Sequence, residues 1–266
     1  DVAREQGVRG GTILNARGVA REKEAAFFGI TIQQEKEILM MVVEKERLCK
    51  TGYSGYFGQL YAAGGQTMKK LLITGFEPFG GETVNPSWEA VSRLPQEAGG
   101  YLLTKLRLPV TFGEAAEKVL QAAEALCPDV ILCIGQAGGR NAITPELVGI
   151  NLRHGEIPDN NGIQPKDQPI LPHGECAIFS TLPVRRMAQA VGKAGIPAKV
   201  SYSAGAYVCN DVLYTLLAHY KGRKTRVGFI HIPYASTQEK EPCLPLEQIT
   251  RGLTIAIENM DGEETI

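Results

Sequence analysis

The feature that most constrains the fold is a regular alternation of short apolar runs and amphipathic segments over residues 68–266. The run at 129–134 (DVILCI) is apolar almost throughout, which is typical of a strand with both faces buried. The segment after residue 209 instead carries its apolar side chains three and four positions apart, which is helical spacing. This alternation predicts a mostly parallel sheet covered by helices, with ligands bound at the carboxyl ends of the strands.

The same patterns locate the individual elements. One helix is predicted to begin at Asn85, a good N-cap residue, because Pro86 follows at the first helical position. Strands are predicted at 69–74, 102–107, 129–134, 198–202 and 227–232, and further helices at 113–126, 182–193, after residue 209 and at 246–260.

Composition narrows the class of protein. The chain has 266 residues, 44% hydrophobic content and a formal net charge of -1, which does not favour nucleic acid or anionic lipid as a partner. No apolar run approaches the roughly 18 residues of a membrane helix, and residues 1–6 lack an apolar signal core, so a cytoplasmic location is expected. Six cysteines show neither a CxxC pair nor zinc-ligand spacing, so no zinc site is expected.

Residues 1–67 do not continue the alternation. Two strands are predicted there, at 10–14 and 37–43, with a loop rich in Arg, Gly and Glu between them. A new domain is expected to begin at Met68. The chain therefore divides into an N-terminal extension, 1–67, which we expect to be poorly ordered, and a main domain, 68–266.

Cys209 and His231 are the two residues best suited to chemistry. Cys209 lies between a predicted strand and a predicted helix, and His231 lies near the end of the following strand. Both are expected to face the crevice at the carboxyl edge of the sheet. A thiol at the start of a helix, within reach of an imidazole, is the arrangement of a cysteine hydrolase. The helix N-terminus and a nearby imidazolium both favour the thiolate, so a nucleophile charged near neutral pH is expected.

Each candidate also has a plainer structural interpretation. A cysteine in an apolar context is typical of a buried core thiol, and His231 could be a histidine that serves only structure. Glu146, in the TPE sequence at 144–146, could be a solvated loop residue. Beside a Cys/His pair, however, a carboxylate would hold the imidazole in one tautomer and stabilise its charged form.

Two further clusters directly follow predicted strands. Residues 75–81 (GFEPFGG) form either a tight turn with two core rings, or a slot in which Phe76 and Phe79 grip a flat ligand. Residues 135–140 (GQAGGR) lack the Lys-Ser/Thr of a P-loop and the spacing of a dinucleotide fingerprint. Gln136 offers both a donor and an acceptor, which suits an amide-bearing ligand, and Arg140 is either a binding cation or an ion-pair partner.

Taken together, these motifs resemble pyroglutamyl peptidase type I, the pyrrolidone carboxyl peptidases, over residues 68–266. No single motif is specific, but their number and order are. The matching segments are TGFEPFGG at 74–81, VNPSW at 84–88, GQAGGR at 135–140, ITPE at 143–146, IPDN at 157–160, QP at 164–165, SAGAYVCN at 203–210 and GFIHIPY at 228–234.

The resemblance implies a cysteine omega-peptidase that removes an N-terminal pyroglutamyl (5-oxoprolyl) residue from peptides through a thioester acyl-enzyme. Cys209 would be the nucleophile, His231 the general base and then acid, and Glu146 the orienting carboxylate. The family fold is a three-layer α/β/α sandwich, commonly assembled as a homotetramer, and it needs no cofactor. The residues expected to bind the lactam are Phe76, Phe79, Asn85, Gln136 and Val208.

Three positions depart from the family pattern. The family usually has a basic residue after the catalytic Glu and Ala two positions further on, where this chain has Leu147 and Gly149. It usually has Arg just before the Ile-Pro-Asp sequence, where this chain has Glu156. Because that position lies near the expected site, an Arg contribution there is in doubt and reduced activity is an alternative outcome.

The N-terminal extension carries a fainter resemblance of its own. GVRGGTIL at 7–14, FFGI at 27–30 and QEKEI at 34–38 are similar to the middle of a P-II-type nitrogen regulatory protein, a ferredoxin-like fold. The opening strand and the closing half of that fold are absent, and an incomplete module cannot bury its sheet face. Residues 1–46 are therefore expected to be a partial P-II-like fragment rather than a working regulator.

Three hypotheses about function stand on these observations. The leading one is the omega-peptidase acting on peptides that begin with pyroglutamate. The second is a catalytically impaired protein that binds a lactam or peptide, which Glu156 and the unusual extension would favour. The third is a regulatory fusion in which residues 1–67 sense a nucleotide.

Overall fold

The computed structural model describes residues 68–262 and, before them, the backbone of four short strands. The chain divides into two compact units, Asp1–Gln59 and Leu60–Ile266. In the first unit, strand β1 (Gly11–Asn15) pairs antiparallel with β4 (Glu37–Met41). Between them, β2 (Ala25–Phe27) pairs antiparallel with β3 (Ile30–Ile32).

Both strands predicted in the N-terminal extension are therefore confirmed, at 11–15 and 37–41. The loop predicted between them was wrong in part, because it contains the β2–β3 pair. The remaining residues before 68 lie outside the described part of the chain, so the boundary at 67 and the P-II-like fragment stay predictions.

The second unit is built on a six-stranded sheet. Its four long strands are parallel and lie in the order β7 (Tyr101–Leu108), β5 (Lys69–Phe76), β8 (Val130–Gln136) and β12 (Arg226–Ile232). Short antiparallel strands close the two edges: β6 (Glu97–Ala98) beside β7, and β9 (Thr144–Pro145) beside β12. The prediction of a mostly parallel sheet is confirmed.

Five helices of the described region cover this sheet. Helices α1 (Pro86–Arg93), α3 (Val184–Lys193) and α5 (Leu246–Glu258) pack on one face, and α2 (Glu114–Leu126) and α4 (Val208–Tyr220) on the other. A hydrophobic core lies on each face of the sheet. Because side chains alternate along a strand, Leu71 and Ile73 of β5 pack into the core under α1, α3 and α5, and Leu72 packs into the core under α2 and α4. The three-layer sandwich is thus confirmed. None of the helices that the structure describes is long and apolar enough to cross a membrane.

Short elements complete the second unit near the carboxyl ends of the strands. Strand β10 (Val148–Ile150) pairs antiparallel with β11 (Ala177–Phe179). Strand β13 (Tyr234–Ala235) pairs in parallel with β14 (Cys243–Leu244), and a 3₁₀ turn at Ser236–Gln238 lies between them.

The predicted start of α1 is confirmed atom by atom. Asn85 Oδ1 accepts hydrogen bonds from the Ser87 backbone N–H at 3.0 Å and from Ser87 Oγ at 2.8 Å, and Pro86 opens the helix. Ser87 Oγ in turn accepts from the Phe76 backbone N–H at 2.9 Å. The N-cap therefore ties the helix directly to the end of β5.

The predicted strand at 198–202 was wrong. This segment meets residues 143–146 only through isolated bridges, Ile143 with Ala198 and Glu146 with Ser201. The segment it meets is short, since β9 spans only Thr144–Pro145. The segment still holds the backbone around Glu146, since the Ser201 N–H donates to the Pro145 carbonyl at 2.9 Å and its own carbonyl accepts from Leu147 at 2.8 Å.

We predict that Gly75→Ala lowers the free energy of unfolding by about 1–3 kcal/mol. A Cβ at this position would lie 2.7 Å from Trp88 Cα and 2.8 Å from the Ser87 carbonyl oxygen, so α1 must shift away from β5. Urea unfolding followed by the fluorescence of the single tryptophan measures the change. Gly192→Ala in α3 is the control, because nothing lies within 4 Å of its added Cβ and it should stabilise by about 0.5–1 kcal/mol. Equal stability of the two variants would contradict this packing argument.

Candidate active site

Cys209 is the second residue of α4, which begins at Val208 rather than after residue 209 as predicted. Its side chain is only partly covered, and it opens into a cavity of about 370 Å³ that His231 also lines. The expectation that these two residues face one crevice is therefore met. The remaining lining residues are Phe76, Phe79, Asn85, Val110, Gln136, Ala137, Gly138, Arg140, Ser203, Ala204, Gly205 and Tyr207.

Strand β9 brings Glu146 against His231. In the β9–β12 ladder Thr144 lies opposite His231, and the Glu146 backbone N–H donates to the Phe229 carbonyl at 2.9 Å. This places Glu146 Oε1 2.7 Å from His231 Nδ1, with both side chains almost fully buried. The interpretation of Glu146 as a solvated loop residue is therefore wrong, because its carboxylate is buried against the His231 imidazole.

Arg140 makes the second contact to the same carboxylate oxygen. Its Nη1 lies 2.6 Å from Glu146 Oε1 and donates to Thr144 Oγ1 at 2.6 Å, while Nη2 donates to the Ser203 carbonyl at 3.0 Å. The sequence left Arg140 as either a ligand-binding cation or an ion-pair partner, and these bonds make it an ion-pair partner of Glu146. The side chain also lines the cavity, so it remains close to any bound ligand.

These contacts determine the protonation of the pair. Burial on its own raises the pKa of Glu146, but the hydrogen bond and charge of His231 and the charge of Arg140 outweigh it, so the pKa is lowered. Burial lowers the pKa of His231, and the raising effect of Glu146 does not overcome it. An ionised Glu146 can only accept, so the proton on the neutral imidazole sits on Nδ1 and leaves Nε2 as the basic nitrogen.

Gly135 makes room for the sulfur. A Cβ at this position would lie 2.8 Å from Cys209 Sγ and 2.8 Å from the Phe229 ring. Gly135 is the register partner of His231 in the parallel β8–β12 ladder, and neighbouring strands lie about 4.8 Å apart. The sulfur therefore rests on the strand next to the one that carries the imidazole.

The expectation of a charged nucleophile was wrong for the resting protein. Burial, the negative charge of Glu146 and the neighbouring Cys133 raise the pKa of Cys209 to about 12, against the lowering effect of Arg140. The thiol is therefore protonated near neutral pH, beside a neutral imidazole. The argument from the helix N-terminus failed because it left out the cost of burying a thiolate.

Two polar residues of α4 that the sequence analysis missed hold the turn carrying Cys209. Asn210 Oδ1 accepts from the Ile150 N–H at 3.0 Å, and its Nδ2 donates to the Ile150 and Leu152 carbonyls at 2.9 and 3.0 Å. Asp211 accepts from Arg153 Nε at 2.6 Å and from the Gly113 N–H at 2.7 Å. Two adjacent polar residues at the start of an apolar helix were the signal that could have found them.

The residues expected to bind a lactam come together only in part. Phe76, Phe79, Asn85 and Gln136 all line the cavity, and Phe76 is 2% exposed. The amide of Asn85 is already engaged by the helix cap and by the Glu77 carbonyl, to which its Nδ2 donates at 2.9 Å. The Val208 side chain does not line the cavity, because it is fully buried in the core between α4 and the sheet.

Gln238 is a further residue that the sequence analysis missed. Its Oε1 accepts from the Ala235 backbone N–H at 3.0 Å, and its Nε2 donates to Gln136 Oε1 at 3.0 Å. A backbone N–H can only donate, so the direction of this two-step relay is determined by Ala235. Gln136 is thereby held with its carbonyl oxygen occupied and its NH₂ group available.

His231 and Cys209 line the cavity, and the buried Glu146 contacts His231 without lining the cavity itself. In the part of the chain that the structure describes, no group of three or more His, Cys, Asp or Glu side chains could hold a metal ion. The chemistry that these residues offer is that of a thiol with an oriented base.

Comparison with known proteins identifies the family. A family model described as pyroglutamyl peptidase matches residues 69–262. The chain belongs to the pyroglutamyl peptidase family. The pyrrolidone-carboxylate peptidase of Levilactobacillus brevis is 51% identical over 194 residues, which cover 71% of this chain and 95% of that protein. That of Bacillus subtilis is 47% identical, covering 71% of this chain and 90% of its own length.

Solved structures agree with this membership. The crystal structure of pyroglutamyl peptidase I from Bacillus amyloliquefaciens matches with a TM-score of 0.71 and 44% identity, covering 74% of this chain and 100% of that one. Pyrrolidone carboxyl peptidase from Thermococcus litoralis matches with a TM-score of 0.71 and 32% identity, covering 75% and 99%. The family resemblance drawn from the motifs is confirmed.

We predict that alkylation of Cys209 by iodoacetamide accelerates roughly tenfold per pH unit between about pH 6 and 9, since only the thiolate reacts. A pKa near 12 leaves the thiolate fraction far from saturation across this range. Peptide mapping by mass spectrometry follows Cys209, with the exposed thiol of Cys176 as an internal reference for the reagent. A rate for Cys209 that is flat with pH would show a preformed thiolate–imidazolium pair instead.

Proposed function

We propose that this protein is a cysteine omega-peptidase that hydrolyses the bond between an N-terminal pyroglutamyl residue and the rest of a peptide. The observation that carries this is the buried 2.7 Å contact between Glu146 Oε1 and His231 Nδ1, with the imidazole lining the same cavity as Cys209. The family and the names of its relatives, pyrrolidone-carboxylate peptidases, support it.

Acylation would begin from a neutral thiol and a neutral imidazole. As Cys209 Sγ attacks the pyroglutamyl carbonyl carbon, His231 Nε2 takes the thiol proton, and Glu146 stabilises the imidazolium that forms. Collapse of the tetrahedral intermediate breaks the C–N bond, and the departing amine takes the proton from His231. The products of this step are a pyroglutamyl thioester and the shortened peptide.

Deacylation reverses the roles. Water attacks the thioester carbonyl while His231 accepts its proton, and the proton then passes to the sulfur as free pyroglutamate leaves. The oxyanion of both intermediates would lie at the start of α4, where the first backbone N–H groups have no partner within the helix. Asn210 and Asp211 support this step by anchoring that turn.

Recognition of the substrate would depend on rings and on one amide. The lactam is small, flat and uncharged, so Phe76 and Phe79 supply apolar contact on the cavity wall. The relay from Ala235 through Gln238 leaves Gln136 with its NH₂ group as donor. A fixed donor suits the ring carbonyl, which is the group that distinguishes pyroglutamate from proline.

We predict that Gln238→Glu lowers kcat/KM for a pyroglutamyl reporter amide by about fivefold or more, since mispairing a polar group costs about 1–3 kcal/mol and this pair is partly buried. The new carboxylate cannot donate, so Gln136 must turn its NH₂ group away from the lactam and present its oxygen instead. Most of the loss should appear in KM. Gln121→Glu, on the exposed side of α2, is the matched control. An unchanged kcat/KM for Gln238→Glu would remove the relay from recognition.

We predict that Cys209→Ala lowers turnover of pyroglutamyl-7-amino-4-methylcoumarin by more than about a thousandfold. The release of the coumarin measures this, and binding of the substrate should persist because the lactam contacts remain. Cys176→Ala, at an exposed thiol outside the cavity, is the control and should keep wild-type rates. Wild-type turnover by the Cys209 variant would exclude it as the nucleophile.

The same reporter separates the alternative hypotheses. Binding without turnover by the wild-type protein would identify a catalytically impaired lactam-binding protein. A form beginning at Met68 whose kinetics equal those of the full chain, with and without ATP or ADP, would count against a regulatory fusion. The homotetramer and the cytoplasmic location stay predictions that go with the proposed peptidase.

A further inference from the structure

A second cavity adjoins the one that contains Cys209. It has a volume of about 390 Å³, and Phe79 and Tyr207 line both cavities. The Tyr207 ring is held in place by an edge contact with Phe112 at 5.2 Å between centroids and by donation from its hydroxyl to the Pro158 carbonyl at 3.0 Å. The two rings thus form a common wall, and the second cavity begins where the first one ends.

The second cavity combines an apolar floor with an acidic rim. Leu152, Ile157 and Ala206 supply apolar surface, and Ile157 is 45% exposed. Glu156 and Asp167 supply two carboxylates whose side chains are 90% and 77% exposed.

His154 lies between these two carboxylates. Its Nδ1 is 2.8 Å from Asp167 Oδ1, and its Nε2 is 3.4 Å from Glu156 Oε1. One imidazole carries at most one positive charge, so the cluster is negative whether His154 is protonated or neutral. The His154 backbone N–H donates to the Ala206 carbonyl at 2.8 Å, which ties this rim to the loop that leads into α4.

The neighbouring cations are engaged elsewhere. Arg153 is bound to the buried Asp211 at 2.6 Å, and Arg140 is bound to Glu146 at 2.6 Å. The Lys166 ammonium donates to the Gly155 carbonyl at 2.8 Å, and its side chain does not line the second cavity. The negative charge at the rim is therefore available to a cationic ligand.

We propose that the second cavity binds the side chain of the residue that follows pyroglutamate and selects Lys or Arg at that position. This inference rests on the proposed function, because the peptide must extend from the carbon that Cys209 attacks, away from the lactam and past the shared wall. A lysine or arginine stem would cover the floor formed by Leu152 and Ile157 while its charged end meets Glu156 and Asp167.

Exposed charges act weakly, so the selectivity is modest. A single solvent-exposed carboxylate changes binding of a cation by roughly two- to fivefold, and the effect falls with salt. Two carboxylates together should favour Lys over its uncharged analogue norleucine by about three- to tenfold, and over Glu by more. The apolar stem contributes equally for Lys and norleucine, so their ratio isolates the charge.

The test compares three peptides that differ only at the second residue, pyroglutamyl-Lys-Ala-amide, pyroglutamyl-norleucyl-Ala-amide and pyroglutamyl-Glu-Ala-amide. Release of the dipeptide amide gives kcat/KM for the wild-type chain and for Glu156→Gln, Glu156→Lys and Asp167→Asn. Asparagine suits position 167, because its backbone φ is +47°. Glu97→Gln is the matched control, since this exposed carboxylate lines neither cavity.

We expect the Lys-to-norleucine ratio to fall about twofold or more in Glu156→Gln and Asp167→Asn, to drop below one in Glu156→Lys, and to stay at the wild-type value in Glu97→Gln. A wild-type ratio near one, or a ratio that Glu156→Lys does not change, would overturn the proposal.

Failure of the proposed function is recognised separately. Absence of coumarin release by the wild-type chain would refute the peptidase, whereas coumarin release with equal rates for all three peptides would refute only the second cavity's role. Calorimetry measures the dissociation constants of the same peptides for the Cys209→Ala chain, and so tests the selectivity of the second cavity without turnover. The same order, Lys tightest and Glu weakest, is expected there, and equal affinities would refute the selection.

Discussion

One buried oxygen organises this site. Glu146 Oε1 accepts hydrogen bonds from His231 Nδ1 at 2.7 Å and from Arg140 Nη1 at 2.6 Å. Glu146 itself is fully buried at the edge of the sheet. Burying a carboxylate costs several kcal/mol unless it is paired and hydrogen-bonded, so the edge strand β9 and the segment at 198–202 must hold the backbone in register for the pair to exist. The fold and the chemistry therefore share one constraint.

This constraint also explains why the resting nucleophile is neutral. Burial of the sulfur contributes most to its raised pKa, and the negative charge of Glu146 acts in the same direction, against the lowering effect of Arg140. The imidazole is neutral for its own reason, since burial outweighs its carboxylate partner. The thiol of Cys209 would then pass its proton to His231 only as the sulfur attacks a substrate carbonyl. Cys209 would therefore be a strong nucleophile only when a substrate occupies the cavity.

Sequence patterns anticipated what depends on neighbours along the chain. Apolar runs located the central strands, and Asn85 with Pro86 located the start of a helix, because both signals are local. The strand expected at 198–202 failed because its pairing is decided by how far β9 extends, which no local pattern encodes. The residues left Glu146 open between a solvated loop residue and an orienting carboxylate, and only the family resemblance favoured the second. Gln238 was missed because its partner Gln136 lies 102 positions away. Whether Cys209 is charged depends on burial, which appears only in three dimensions.

The absence of a side chain at Gly135 has a mechanical consequence. The sulfur lies 2.8 Å from where a Cβ would stand, so any side chain on this residue of β8 would push it away, and β8 is the strand next to the one that carries His231. The separation of nucleophile and base therefore depends on how closely α4 packs against β8, the strand beside the one that carries the imidazole. The surrounding loops can then move to admit or release a peptide while the reacting atoms keep their spacing.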